Sequence, residues 1–195
     1  MHRRRFIAAT TALAAAAGGL VACTTTPISS DNSDAANAGR RRTIDADVDA
    51  TVTRMYESVQ GSRELVGKSR GILVFPSVIS AGFWIGGQYG QGSLRVDGQT
   101  NGYYSITAAS FGLQIGAQSK AIVLLFMTQD ALDEFRRSQG WAAGVDATVA
   151  VLKIGANGNV DTSTATSPVE AIVMTNAGLM AGVSLEGSKI SRLII

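Results

Sequence analysis

Histidine and cysteine are almost absent from this chain, which carries one of each in 195 residues, as His2 and Cys23. His2 is expected to be removed with an N-terminal export signal and Cys23 to become a lipid anchor, so the remaining chain cannot assemble a Ser-His-Asp or Cys-His catalytic group, or the usual zinc and copper ligand sets. A single cysteine also excludes a disulfide within the chain. We therefore predict no catalytic residues, no metal site, no cofactor and no enzymatic activity. The remaining enzymatic alternative is a carboxylate-based catalytic or metal site using Asp97, Asp130, Asp133, Asp146 or Glu186.

The chain also lacks a strong excess of either charge. It has 17 basic and 15 acidic side chains, and three of the arginines lie in the first five residues. If residues 1–22 are removed, the chain keeps 14 basic side chains (17 − 3) and 15 acidic ones, which gives a net charge near −1. A nucleic-acid-binding domain normally carries a clear basic excess. The composition therefore predicts no nucleic-acid partner.

The first 22 residues have the layout of a bacterial export signal. Met1–Arg5 is positively charged, and the apolar run Phe6–Val21 is shorter than the roughly 20 residues that span a membrane. The following LVAC resembles the lipobox of bacterial lipoproteins, in which Cys23 is lipidated and becomes the new N-terminus. The basic start also loosely resembles a twin-arginine signal, so the export route stays open.

Residues 23–42 are small, polar and without periodicity, which predicts a flexible tether. The run Arg40–Arg42 closes this segment and is either an ordinary solvated charge run or a patch that rests on anionic headgroups. Residues 43–195 are then expected to form one domain.

Two long helices are predicted. In Asp45–Gln60 the apolar residues recur at helical spacing, which favours a helix packed on the domain. We interpret Asp45, Asp47 and Asp49 as first-turn acids that favour the helix dipole. The second helix covers about 128–138, with Thr128 as its N-cap. Between the two, Ser62 is expected to cap a short helical turn.

The rest of the chain predicts strands. The segment GILVFP is predicted to be a strand that ends at Pro76, and Ala121–Met127 is predicted to be a buried strand. Further strands are predicted in Val145–Ile154 and Ala171–Ile195. The glycine-rich stretch GFWIGGQYGQGSL, residues 82–94, is no phosphate loop, because it runs into the hairpin signal Asp97-Gly98 instead of a helix.

Glycines recur four residues apart, a spacing that places both on the same face of a strand. The pairs are Gly86 and Gly90, Gly112 and Gly116, Gly140 and Gly144, and Gly178 and Gly182. We interpret them as sites of close strand packing, the alternative being a slot for an acyl chain or a headgroup. The predicted fold is α+β: a curved, tightly packed antiparallel or barrel-like sheet with glycine-rich strands, an N-terminal amphipathic helix and one further helix.

Four stretches together resemble the SYLF domain family: GILVFPSVISAGFWIGGQYGQGSLRV, GYYSITAASFGLQIGAQSKAIVLLFMTQDALDEF, GWAAGVDATVAV and GLMAGVSLEGSKISRL. They extend over about residues 62–193. The resemblance implies a lipid-binding domain without catalytic residues, and its bacterial members resemble lipobox-bearing lipoproteins. Eukaryotic relatives are associated with phosphoinositides and actin.

The leading hypothesis is a lipid-anchored, non-enzymatic, lipid-binding protein of the cell envelope. Cys23 would anchor it, and Thr24 resembles outer-membrane sorting, which places the domain in the periplasm. Membrane lipids, through anionic headgroups or acyl chains, are the expected partners, with Arg63, Lys68 and Arg70 as candidate headgroup contacts. The alternative is a tethered structural or protein-interaction module that meets envelope proteins and recognises no specific lipid.

Overall fold

The computed structural model describes residues 34–112, 118–152, 167–175, 178–179 and 184–195, with the backbone alone at 81–85, 110–112 and 178–179. Contacts divide the chain into two units, Met1–Asp31 and Asn32–Ile195, and every described residue belongs to the second. The predicted signal, Cys23 and tether residues 23–33 lie outside the described residues, as do Gly116 and Gly182. Among the helices described, none has the length and apolar character needed to cross a membrane.

The described elements form an α+β fold. The helices are α1 (Asp34–Ser58), α2 (Ser62–Lys68) and α3 (Gln129–Arg137). The strands are β1 (Gly71–Val96), β2 (Gln99–Gly112), β3 (Gln118–Phe126), β4 (Gly140–Ala142), β5 (Val149–Val151), β6 (Val169–Thr175), β7 (Gly178–Leu179) and β8 (Lys189–Leu193).

These strands form one curled sheet, a half-barrel with the order β4-β8-β2-β1-β3-β6-β5 and with β7 beside β6. The α+β class and the curved sheet are confirmed. The sheet is not purely antiparallel, however, because β5 runs parallel to β6.

The centre of the sheet, at β3, is buried on both faces. On β3, Ile122, Leu124 and Phe126 pack into a cluster that contains α3, whereas Val123 and Leu125 pack into a second cluster under α1 and α2. Successive side chains of a strand point to opposite faces, so a strand covered on both sides needs an unbroken apolar run. This explains the run AIVLLF and confirms the predicted buried strand.

Strand β1 is much longer than predicted. It continues through Pro76 to Val96, so the expected stop at Pro76 is wrong. The register with β3 shifts between Phe75 and Val78. Pro76 lies in this irregularity, where its missing N–H breaks no ladder hydrogen bond. The hairpin signal is confirmed, since Asp97 (φ 51°) and Gly98 (φ 76°) turn the chain from β1 into β2.

Glycine lets the second half of β1 lie directly against its first half. A Cβ atom on Gly90 would stand 2.8 Å from both the carbonyl oxygen of Ser77 and Cγ2 of Val78, and one on Gly92 would overlap the Val74 carbonyl oxygen. Close packing is therefore the reason for these two glycines. A Cβ atom on Gly87 would meet open space.

The pair Gly140 and Gly144 does not share a strand, contrary to the spacing argument. Strand β4 ends at Ala142, and Gly144 has a φ of 83° in the turn that follows. Positive φ is the conformation that favours glycine, so this residue serves the turn and not a strand face.

Helix α1 begins eleven residues before the predicted start. Residues 34–42, which we assigned to the tether, are helical, and Asp45 and Asp49 consequently lie in the middle of the helix. Their interpretation as first-turn acids is therefore wrong, since a helix dipole acts within the terminal turns. The packing of this helix on the domain is confirmed, because Ile44, Val48 and Met55 are buried.

The two shorter helices begin differently. Ser62 does not cap α2: the cap position is Gly61, and the Ser62 hydroxyl donates instead to the Val59 carbonyl at 2.7 Å, which joins α2 to the end of α1. Helix α3 begins as predicted, with the Thr128 side chain accepting a hydrogen bond from the Ala131 amide at 3.2 Å.

Candidate functional site

A cleft of about 450 Å³ opens where α1, α2 and both ends of β1 meet. We call it the α1–α2 cleft. Its walls come from three parts of the chain: one face of α1, the end of α2 with the residues that follow it, and the β1–β2 turn region. The lining residues are Asp49, Val52, Thr53, Tyr56, Val66, Gly67, Ser69, Arg70, Gly71, Ile72, Arg95, Asp97 and Gly98.

The fold-back of β1 creates this cleft. A Cβ atom on Gly71, the first residue of β1, would stand 3.1 Å from the carbonyl oxygen of Arg95, near the end of the same strand. The Arg70 amide donates to the Phe126 carbonyl at 2.7 Å and fixes the path from α2 into the sheet. Both ends of β1 therefore lie beneath α1 and α2.

The cleft combines an apolar wall with one unpaired cation. Val52, Tyr56 and Val66 are half-buried and pack against the apolar cluster under α1. Arg70 is exposed, and its guanidinium makes no hydrogen bond or ion pair with the part of the chain that the structure describes. An apolar wall beside a few polar groups is the usual character of a small-molecule site.

The second arginine of the cleft is bonded through its two terminal nitrogens, whereas its buried Nε has no hydrogen-bond partner among the described residues. Arg95 Nη2 lies 2.8 Å from Asp49 Oδ1 and 3.3 Å from Asp45 Oδ1, and Nη1 donates to Thr100 Oγ1. Asp45 also accepts from the hydroxyls of Thr100 at 2.9 Å and Tyr103 at 2.7 Å. We call Asp45, Asp49, Arg95, Thr100 and Tyr103 the clasp, because they join the middle of α1 to the β1–β2 hairpin.

The clasp holds the Tyr103 phenol in its neutral form. Burial, followed by the hydrogen bond to Asp45 and the negative charge of that carboxylate, raises the pKa of Tyr103 from 10.0 to about 12. Since the folded-state pKa is above the unfolded one, this group stabilises the fold fully below pH 10. Its contribution is lost as the pH rises from 10 through about 12.

Asp45→Ala is expected to lower the pKa of Tyr103 from about 12 towards 10, without reaching it, because burial remains after the carboxylate is removed. An alkaline titration of tyrosinate absorbance measures the shift, and the same titration of Tyr103→Phe identifies the signal. An unchanged titration in Asp45→Ala would contradict the hydrogen bond between the two side chains.

Residues 107–193 match the Ysc84 family model, described as "Las17-binding protein actin regulator". This is the SYLF family. Residues 107–193 belong to it. The match supports a non-catalytic binding module.

The SYLF match extends to curated relatives. The proteins named "SH3 domain-containing YSC84-like protein 1" from Rattus norvegicus, Mus musculus and Homo sapiens are each 30% identical to this chain over 129 residues. The aligned region covers 64% of this chain and 37–38% of the relatives. The chain therefore corresponds to less than two-fifths of their length.

The structure places the three predicted basic residues on and directly after α2, but in different settings. Arg63 is exposed, with its guanidinium carbon 4.3 Å from the centre of the Tyr56 ring. Lys68 Nζ is 2.6 Å from Glu64 Oε1 in an exposed pair. Arg70 alone lines the cleft. Their role in headgroup binding stays a prediction.

Arg95 was not among the functional residues predicted from the sequence. Its carboxylate partners precede it by 46 and 50 residues, so no local spacing joins them. The one available signal was the pair Asp45 and Asp49, four residues apart and therefore on one face of a helix. We interpreted that pair as part of a helix start.

The carboxylates named for an enzymatic alternative are not assembled into a site. The Asp146 carboxylate accepts from the Ala142 amide at 2.6 Å, and Asp133 accepts from Gln129 at 3.0 Å. Within the described ranges, no three histidine, cysteine or acidic side chains are grouped so that they could hold a metal ion. Glu170 is fully buried on β6, where burial raises its pKa, and its Oε1 accepts a hydrogen bond from the Ser167 amide at 2.9 Å.

Proposed function

We propose that this protein is a non-enzymatic lipid-binding module, and that the α1–α2 cleft receives the headgroup end of an anionic phospholipid. The observation that carries the proposal is the unpaired guanidinium of Arg70 beside the apolar wall formed by Val52, Tyr56 and Val66. A lipid needs both features, a cation for its phosphate and an apolar surface for the start of its acyl chain. The SYLF match supports a non-catalytic binding role.

Arg70 is the cation of the cleft that is available to a ligand. Arg95 is held by Asp45 and Asp49, so its charge is already balanced. Arg63 covers the outer face of Tyr56 and extends the basic surface away from the cleft. The proposed contact is therefore one strong electrostatic interaction supported by apolar packing.

We further propose that the domain works at a membrane of the cell envelope, exported through the signal in residues 1–22 and anchored by lipidated Cys23. The lipobox-like LVAC and the residue after it, Thr24, support an outer-membrane anchor with the domain in the periplasm. Mass spectrometry of the membrane-extracted protein tests the anchor. A diacylglyceryl-modified Cys23 is the expected N-terminus, and an unmodified chain that begins elsewhere would overturn it.

Co-flotation with vesicles tests the cleft. Residues 24–195 are expected to float with phosphatidylglycerol vesicles at low salt and less at high salt, and not with phosphatidylcholine vesicles. Arg70→Gln should weaken binding roughly fivefold, because one base near an anionic surface contributes about 1 kcal/mol. Lys189→Gln, an exposed cation on β8 outside the cleft, is the charge-matched control and should change binding less.

A second candidate function is a protein-interaction module. Ile79 (53% exposed) and Tyr89 (49% exposed) are large apolar side chains on the surface of β1, as expected where a protein partner docks. The Ysc84 description itself names a protein ligand. Failure of the wild-type protein to float with any vesicle would favour this function over lipid binding.

A further inference from the structure

A second pocket, of about 470 Å³, lies on the opposite face of the sheet from the α1–α2 cleft. It is lined by Asn101, Tyr104, Asp133, Arg136, Arg137 and Arg192, and we call it the arginine pocket. Tyr103 and Tyr104 show that the faces differ: Tyr103 bonds to Asp45 of α1, whereas Tyr104 packs on Phe135 of α3 with ring centroids 4.9 Å apart.

Rigid elements bring the arginines together. Arg192 on β8 is the direct cross-strand partner of Tyr104 on β2, so the two side chains are neighbours on one face. Arg136 and Arg137 end α3, which is fixed to the same face because Phe135 contacts Tyr104, Phe126 and Trp141. Three guanidinium groups therefore converge without the help of a loop.

The positive charge of the pocket is largely unbalanced. Arg136 has a weak partner in Asp133, with 3.9 Å between Nη1 and Oδ1. Arg137 and Arg192 make no hydrogen bond or ion pair with the described residues, and both are exposed. Three guanidinium groups against one carboxylate leave a local excess of two positive charges.

Helix-end electrostatics explain only part of this arrangement. Basic side chains favour the last turn of a helix, which accounts for Arg136 and Arg137 on α3. They do not account for Arg192, which comes from a strand and faces the same pocket. The ring of Tyr104 is buried. Tyr104 also lines the pocket, so its phenol group stands beside the three guanidinium groups. Burial raises the pKa of Tyr104, which keeps this phenol a hydrogen-bond donor.

We propose that the arginine pocket binds a phosphate monoester, with Arg137 and Arg192 as its principal ligands and Tyr104 and Asn101 as hydrogen-bonding groups. Guanidinium groups bind phosphate oxygens in pairs of parallel hydrogen bonds, and a dianion matches an excess of two positive charges. The phosphate belongs either to a small soluble molecule or to a lipid headgroup. This site is separate from Arg70 and from the lipid binding proposed for the α1–α2 cleft.

Calorimetric titration of the full chain with glycerol 3-phosphate, with glycerol as the blank, tests the proposal. The double variant Arg137→Gln/Arg192→Gln should weaken binding at least tenfold. Arg40→Gln/Arg42→Gln removes the same charge from the exposed surface of α1 and should leave binding unchanged. Asp133→Asn removes the competing carboxylate and should tighten binding about threefold.

A parallel arm uses vesicles that contain phosphatidic acid. If the wild type binds glycerol 3-phosphate and the Arg137→Gln/Arg192→Gln variant binds it more weakly, the result supports a site for a soluble phosphate monoester. In both arms each variant is also made together with Arg70→Gln, which removes the cation of the cleft. Binding to phosphatidic acid vesicles alone, lost in the double variant and kept in Arg40→Gln/Arg42→Gln on this background, supports the site with a headgroup. The proposal is overturned if the wild type binds neither probe, or if the double variant binds like its charge-matched control. Since Arg70→Gln acts only on the cleft, the two sites can fail independently.

Discussion

Gly92→Ala is expected to lower the free energy of unfolding by about 3 kcal/mol or more, enough to leave little folded protein. The added methyl group would overlap the Val74 carbonyl oxygen and stand 2.9 Å from Cδ1 of Phe75. Both neighbours belong to the buried first half of β1, which is held by its ladder to β3 and cannot move without breaking it. Urea unfolding followed by circular dichroism measures the loss.

Gly87→Ala is the matched control for this substitution, since it adds the same methyl group to the same strand. Nothing lies within 4 Å of the position that its Cβ atom would take. Its free energy of unfolding should stay within about 0.5 kcal/mol of the wild type. Equal destabilisation by the two substitutions would show that β1 does not fold back on itself as described.

Asp45→Ala is expected to lower the free energy of unfolding by about 2 to 3 kcal/mol. The substitution removes the acceptor of three donors, Arg95, Thr100 and Tyr103. It also leaves the Arg95 guanidinium, whose side chain is 14% exposed, with Asp49 as its remaining carboxylate. Thermal and urea unfolding measure the loss.

Asp47→Ala provides the comparison, because it changes the same residue type on the same helix at an exposed position. Both substitutions gain the same helix propensity from alanine, so the difference between them isolates the clasp. We expect Asp47→Ala to change stability by less than about 0.5 kcal/mol. If the two variants unfold alike, the clasp contributes nothing to the attachment of α1.

The helices, strands and turns that depend on residues close together in the sequence could be predicted from it. Helix α3 was predicted almost to the residue, because Thr128 and the apolar spacing of Leu132 and Phe135 are local signals. Strand β3 and the Asp97-Gly98 turn were found for the same reason. The start of α1 was missed because its first residues carry no apolar stripe, and burial begins only at Ile44.

Features determined by distant contacts were not predictable. Pro76 was predicted to end a strand, because no residue near it in the sequence indicates that the pairing of β1 with β3 has an irregularity at this point. Gly92 was not among the glycine pairs that the spacing assigned to close packing, because the Val74 carbonyl that excludes a side chain there is brought near only by the fold-back of β1. Arg70 was identified from its charge, whereas the pocket that joins Arg192 to α3 depends on strand pairing across the sheet.

The order of the strands has a consequence for association between copies of this protein. At the two ends of the described path lie β4 and β5, each three residues long. A free strand edge is a template on which another chain can add a strand, and a very short edge offers few backbone groups for such pairing. The long strands β1, β2 and β3 are all interior to the sheet. Among the described strands, these two edges therefore offer few backbone groups on which another copy could add a strand.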